Sequence, residues 1–255
     1  TLLVALAVVP VVLTRIIQPA LVSIKAVSLG HLYNVSPLGV SSALVSGINT
    51  GAFWGLGALF AQRIGMSETG IALFMSLTVV GGVLLQWPIG HLSDRHDRRH
   101  ILVLVSLINA VIAFLAYLSV DVSHVLLIAI AVGYGGFAFS LYGISVAHVN
   151  DHVDAEHTLE TSRGLLLIYG IGAVIGPAVA SFVMQQAGPG SLLLFLSSTL
   201  LVLAVFGLYR LRVGRRIPPE EQMEYAPMVR TSAMALELDP RLDAEQEQQH
   251  ENAPG

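Results

Sequence analysis

The chain has 255 residues, of which 54% are hydrophobic and only 12% charged, and its mean hydropathy is +0.72. A soluble globular domain carries roughly 25% charged residues, so this composition excludes one and describes an all-α polytopic membrane protein with a soluble tail. The absence of cysteine rules out disulfides and thiolate sites, and the formal charge of −4 conceals a segregation of sign that offers nucleic acid no basic surface.

The first 15 residues contain the apolar run Leu2–Leu13. At about 1.5 Å per residue it is too short to cross a hydrocarbon core of about 30 Å. It also lacks the basic start and small-residue cleavage site of a signal peptide. It is expected to be the remnant of a transmembrane helix, with the chain a fragment. Residues 16–37 then form a linker. Six apolar stretches of roughly 20 residues follow, near Leu38–Gln62, Gly70–Gly90, Ile101–Val120, Ser123–His148, Leu165–Gln185 and Leu192–Tyr209. Unpaired backbone groups are not tolerated in lipid, so each is expected to be a helix. Together they make a six-helix bundle over 38–211. Pro37, Ser67, Ser123 and Pro189 fall at turn or cap positions between them.

Lys and Arg favour the cytoplasmic side in short loops. Arg15, Lys25, Arg95, Arg98, Arg99, Arg163, Arg210, Arg212, Arg215 and Arg216 all fall on one side of the six spans, and Arg63 alone on the other. The start and the tail are therefore expected in the cytoplasm. Residues 212–255 are rich in Glu, Asp, Gln and Pro, with few apolar residues to form a core, so a disordered acidic tail is expected. Around Tyr225–Leu238 apolar residues interleave with charge, and a partner-binding role there competes with the simpler reading of a solvated tail.

The densest charge near the spans is Gly90-His91-Leu92-Ser93-Asp94-Arg95-His96-Asp97-Arg98-Arg99. Gly90 removes a side chain where helices must approach closely. Asp94 is suited to accept backbone N–H groups at another helix's N-terminus, where the dipole is positive. Arg95, Arg98 and Arg99 are suited to pair with carboxylates on neighbouring loops, or simply to fix topology. A second polar cluster, Asp151, Asp154, Glu156, Glu160 and Arg163, precedes the fifth span, with Thr158 or Thr161 as its expected cap. His91, His96 and His100 lie in a water-facing connector that offers no fixed geometry for a metal, so no metal site or cofactor is assigned.

This loop, with Trp87-Pro88 before it, resembles the signature Gly-x-x-x-Asp-Arg-x-Gly-Arg-Arg between the second and third helices of each half of the major facilitator superfamily. Gly90, Asp94, Arg95, Arg98 and Arg99 match in spacing, while Asp97 stands in place of the second glycine. Gly81–Gly90, Ser36–Gly39 with Gly47, Gly51, Phe53, Trp54 and Gly55, and Leu166–Pro177 look like helices eight, seven and eleven of its YcaD-like branch. The resemblance implies the C-terminal half of such a transporter, from the end of helix six through helix twelve, with the N-terminal six-helix half missing. It assigns the signature residues to a cytoplasmic gate between the two halves, with Glu160 and Arg163 as candidate partners. It implies a plasma membrane location, the bacterial inner membrane.

Transporters of this kind bind substrate near the midplane between their halves. Polar and aromatic residues inside the spans are therefore the candidates for the cavity: Asn49, Phe53, Trp54, Gln86, Tyr134, Tyr142, His148 and Tyr169. For each a structural role competes, and Asn49 stands equally for substrate binding and for an interhelical hydrogen bond. Gly47, Gly51 and Gly55 recur every four residues and mark a face for close helix packing. Gly176-Pro177 is the candidate hinge. No acidic or basic residue lies deep within the spans. A coupling proton would therefore use the missing half or His148, or be absent.

The expected function is secondary active transport of a small solute by alternating access, with no covalent chemistry and hence no enzyme. The alternative is a membrane receptor or scaffold that signals through the acidic tail.

Overall fold

A computed structural model describes residues 29–153 and 157–213. The expected helix remnant, the linker up to residue 28, Asp154, Glu156 and the acidic tail beyond residue 213 lie outside the described residues. Among those described, all regular structure is helical: a short α1 (Leu29–Val35), then α2 (Pro37–Arg63), α3 (Glu68–Arg95), α4 (Arg98–Ser119), α5 (His124–Asn150), α6 (Thr158–Ala187) and α7 (Ser191–Val213). Helices α2 to α7 are each long and apolar enough to cross a membrane. They coincide with the six spans expected from hydropathy. The largest shift is at α6, which starts at Thr158 because its polar first turns stay helical ahead of the apolar run.

The helix starts are written locally. Ser36, Ser67, Asp97 and Ser123 are N-caps whose side-chain oxygens accept a backbone N–H from Gly39, Gly70, Arg99 and Leu126 at 3.0–3.4 Å. Pro37 occupies the first helical position of α2, where its missing N–H costs nothing. The expected threonine cap of α6 is corrected: His157 holds the cap position without a side-chain bond, and Thr158 and Thr161 are already inside the helix. Gly188, at φ +84, turns the chain from α6 toward α7.

The tightest helix pairs are α2 with α6, α3 with α5, and α4 with α7. Glycine makes the first two possible. A Cβ on Gly47 or Gly51 would collide with the backbone of Tyr169 and Ala173 in α6, and one on Gly172 or Gly176 with that of Leu44 and Ile48 in α2. The same reciprocity holds between Gly81 of α3 against Val132 and Gly135 of α5 against Thr78. Backbones meet directly in both pairs, as small residues allow in membranes.

The contacts repeat. Taking α2, α3, α4 as one triple and α5, α6, α7 as the other, α2 against α6 corresponds to α5 against α3, and α4 against α5 to α7 against α2. Because successive spans alternate in direction, the two triples have opposite orientation, the arrangement of an inverted repeat. Helices α2 and α5 sit centrally, α3 and α6 flank them, and α4 packs on α7 behind. A large apolar core including Phe53, Phe60, Phe74, Leu141 and Leu196 ties α2, α3, α5 and α7 together, and a smaller cluster around Tyr142, Leu165 and Ile168 fills the basic end between α2, α5 and α6.

Candidate functional site

The signature loop forms a compact charged junction at the basic end. Helix α3 runs past Gly90, which is buried, and ends at Arg95; His96 and Asp97 turn the chain, and α4 starts at Arg98. Asp97 has φ −56, so this turn needs no glycine. Its carboxylate caps α4 at the Arg99 N–H, 3.0 Å away, and lies 3.3 Å from His100 Nδ1. The departure from the signature glycine thus has its own local role.

Arg98 is the centre of the junction. It is 1% exposed, although it carries a permanent charge. Its Nη2 donates to Asp94 Oδ1 at 2.8 Å, and its Nη1 donates to Asp151 Oδ1 and, at 3.4 Å, to the Ala147 carbonyl. One guanidinium thereby clamps the end of α3, the start of α4 and the end of α5. Asp94, expected to face another helix's N-terminus, pairs with Arg98 within its own loop. The Asp151 side chain is 2% exposed and that of Asp94 23%, so Asp151 is the more deeply committed partner. Arg99, also buried, donates through Nη2 to the Arg210 carbonyl at 2.7 Å and so links α4 to the end of α7. Arg95 is exposed.

Glu160 and Arg163 lie half-buried in the first turns of α6, with Glu160 Oε2 3.8 Å from His157 Nδ1. They belong to the same end of the bundle as Arg98. Asn150 reaches across the turn between α5 and α6 to Ser162, its Nδ2 3.4 Å from the hydroxyl.

The expected cavity residues separate into groups. Asn49 is 2% exposed and its Nδ2 donates to the Val45 carbonyl at 3.0 Å and to Thr199 Oγ1 at 2.9 Å, a bond between α2 and α7. Phe53 is buried in an aromatic cluster with Trp54, Phe74 and Tyr134, at ring-centroid distances of 5.5–5.7 Å. Trp54 itself is 44% exposed and stacks on Phe139. Tyr142 and Tyr169 meet at 4.7 Å between α5 and α6. His148 is buried and touches His152 edge-on at 4.8 Å. Gln86 is half-buried beside exposed Trp87, whose ring stacks on His91. Gly176 packs on Ile48, and Pro177 packs on the Gly55 backbone, both within an unbroken α6.

A model of the Major Facilitator Superfamily matches residues 39–238. The chain belongs to this superfamily. It is 30% identical over 165 residues to the uncharacterized MFS-type transporter YE1530 of Yersinia enterocolitica, covering 65% of this chain and 42% of that protein. It is 29% identical over 201 residues to the uncharacterized MFS-type transporter YcaD of Escherichia fergusonii, covering 78% of this chain and 51% of that protein. The chain thus spans about half the length of the curated relatives it matches.

Membership makes the chain a multi-pass membrane protein of a transporter family, whose members handle small-molecule substrates. The matched region contains the Arg98 junction, five of the six spans whole and the sixth, α2, from residue 39, and every residue proposed for the cavity. Several contributors carry no motif of their own. Thr199 is one. Asn109 is another: with its amide turned so that Nδ2 faces the Tyr134 carbonyl and Oδ1 the Ala138 N–H, both at 3.3 Å, it joins α4 to α5. Ser197 donates to the Ala110 carbonyl at 2.8 Å, joining α7 to α4. Each is a polar residue in an apolar span, which was the available signal.

Proposed function

We propose that the chain is one six-helix half of a secondary transporter that moves a small solute by alternating access, and that the other half is a second bundle of the same kind. The observation that carries this reading is the buried Arg98 junction in the signature loop. A cation that only fixed topology would remain in water. Arg98 is instead desolvated and held by two carboxylates from different helices, a device that gives one bundle end a discrete arrangement. In this reading Gly90, Asp94, Arg95, Arg98 and Arg99 form the cytoplasmic gate, and Glu160 and Arg163 at the start of α6 face the equivalent loop of the other bundle.

Helices α3 and α6 support the second half. Only 22% of their apolar windows is buried in the bundle, against 50% for α2, α4, α5 and α7. These are the flanking helices of the inverted repeat, and both leave long apolar faces for a partner bundle. Arg95, Arg98, Arg99, Arg163, Arg210 and Arg212 share one end of the bundle, so that end is assigned to the cytoplasm of a bacterial inner membrane. The substrate site is assigned to the face between the halves, with Trp54, Gln86 and Tyr169 as its contributors from this side.

The test is transport by the complete protein in proteoliposomes, against a broad solute panel with a pH gradient on or off. Gradient-dependent movement of at least one solute, lost in Arg98→Gln with the protein still folded, is the expected result. Wild-type rates in Arg98→Gln would remove the gate from the reading.

A further inference from the structure

The glycine contacts fix the register of the inverted repeat. A Cβ on Gly47 of α2 would meet the Tyr169 carbonyl, and one on Gly135 of α5 that of Thr78. A Cβ on Gly172 of α6 would meet the Leu44 carbonyl, and one on Gly81 of α3 that of Val132. Gly47 and Gly135 are therefore equivalent, and so are Trp54 and Tyr142, each seven residues further on. Both central helices carry an aromatic residue at this position, in different surroundings. Tyr142 is 5% exposed and packs on Tyr169, whereas Trp54 is 44% exposed. The bundle closes over one member of the pair and leaves the other open.

The Trp54 ring is open but held. Phe139 stacks on it at 6.3 Å between centroids and 25° between planes, and Phe53 meets it edge-on at 5.7 Å. The site is deep in the span. Trp54 lies 17 residues after Pro37 and nine before Arg63 in α2, and Phe139 lies 15 after His124 and 11 before Asn150 in α5. An interfacial anchor would sit at a span end, at headgroup level. On its other sides α2 packs against α5, α6 and α7, so the open strip that starts at Trp54 is the front of a central helix.

The chemistry around the ring is apolar. Gly55 and Ala58, small and exposed, follow Trp54 on α2, so no bulky side chain of the next turn overhangs it. Arg63 is the one charged residue of α2, and α5 has no Asp, Glu, Lys or Arg. The Asn49 amide is turned to Val45 and Thr199, away from this face. On the transporter reading above, we propose that the Trp54 indole is a stacking platform for a planar aromatic ring of the transported solute. A polar solute such as a sugar needs polar groups that converge on it. An aromatic ring needs only the open face of another, and the pair gains more than its area burial alone. The solute class is a compound with a planar aromatic ring system, uncharged where it meets this half.

The test is scintillation-proximity binding of tritiated β-naphthol to the complete protein, with decahydro-β-naphthol as competitor. The competitor has the same skeleton and the same neutrality but no π-face. β-Naphthol binds the wild type, and the decahydro compound displaces it poorly. Trp54→Leu keeps an apolar side chain and lowers affinity about fivefold, while Trp54→Phe stays within about twofold of the wild type. Phe114→Leu removes an exposed ring from α4, behind the bundle, and binds as the wild type does. Wild-type affinity in Trp54→Leu, equal losses in Trp54→Leu and Phe114→Leu, or equal displacement by the decahydro compound would overturn the platform. So would the absence of β-naphthol binding by the wild type. Movement into proteoliposomes is scored separately. Transport only of solutes without a ring, at equal rates in the wild type and Trp54→Leu, would overturn the platform and leave the transporter reading standing. Ring-specific binding that depends on Trp54, without movement of any solute, would support the platform and count against transport.

Discussion

At the scale of single residues, the most instructive position is Asp97. Its place in the signature suggests a lost glycine and a looser turn. Its φ of −56 and its bond to the Arg99 N–H describe instead an N-cap that any short acceptor could fill. Asp97→Ala should therefore lower the unfolding free energy by about 1 kcal/mol, and Asp97→Gly by only a few tenths. Thermal unfolding in detergent distinguishes the two, and a stabilising Asp97→Gly would restore the tight-turn view. Arg98 makes a second residue-scale claim. Removing one member of a buried pair leaves an uncompensated charge and costs about 3–5 kcal/mol in proteins generally. Asp151 is nearly inaccessible while Asp94 keeps contact with water, so Asp151→Ala should destabilise by several times as much as Asp94→Ala. Equal melting temperatures for the two variants would contradict that ranking.

At the scale of elements, the six spans were legible because length and hydropathy dictate a helix in lipid, whatever its neighbours. The glycine spacing in α2 was legible too, as a face made for close approach. The partner of that face was not. Nothing in Gly47 and Gly51 names Tyr169 and Ala173, and nothing in Arg98 names Asp151, 53 residues away. Spacing along one helix reports which face is small; only the folded bundle reports what meets it. The same holds for Asn49, whose sequence context does not name Thr199 as the partner of its amide. The glycine contacts give a paired prediction. Gly51→Ala drives a methyl group into the Ala173 backbone and should cost about 2 kcal/mol, within the range for overpacking. Gly170→Ala, in the same helix pair but with open space around the new methyl, should be neutral or slightly stabilising. Pro177 belongs to this interface as well. It removes the helical donor for the Ala173 carbonyl, the group that Gly51 covers. Pro177→Ala restores that donor and should leave stability intact while slowing transport by the complete protein; unchanged rates would argue against a hinge at this point.

At the scale of the whole molecule, the repeated contact pattern turns one observation into a constraint. If α2 and α5 are equivalent, and α3 and α6 are equivalent, then whatever covers the outer face of α3 must also cover that of α6. Lipid and a second bundle make different predictions for these faces. The exposed rows Val80, Val83, Leu84 and Trp87 on α3 and Leu167, Val174 and Phe182 on α6 are as apolar as the rows Val202 and Val205 on α7, so hydrophobicity alone does not separate them. Small differences in packing do, because a protein partner excludes acyl chains where lipid does not. Single cysteines at Val83, Val174 and Val202, each carrying a fluorophore in the complete transporter, test this with a nitroxide quencher dissolved in the bilayer. Quenching at 83 and 174 should fall well below that at 202, and to a similar extent at both, because the repeat places them in equivalent surroundings. Uniform quenching at all three would return α3 and α6 to the lipid and leave their sparse burial without a second half to explain it.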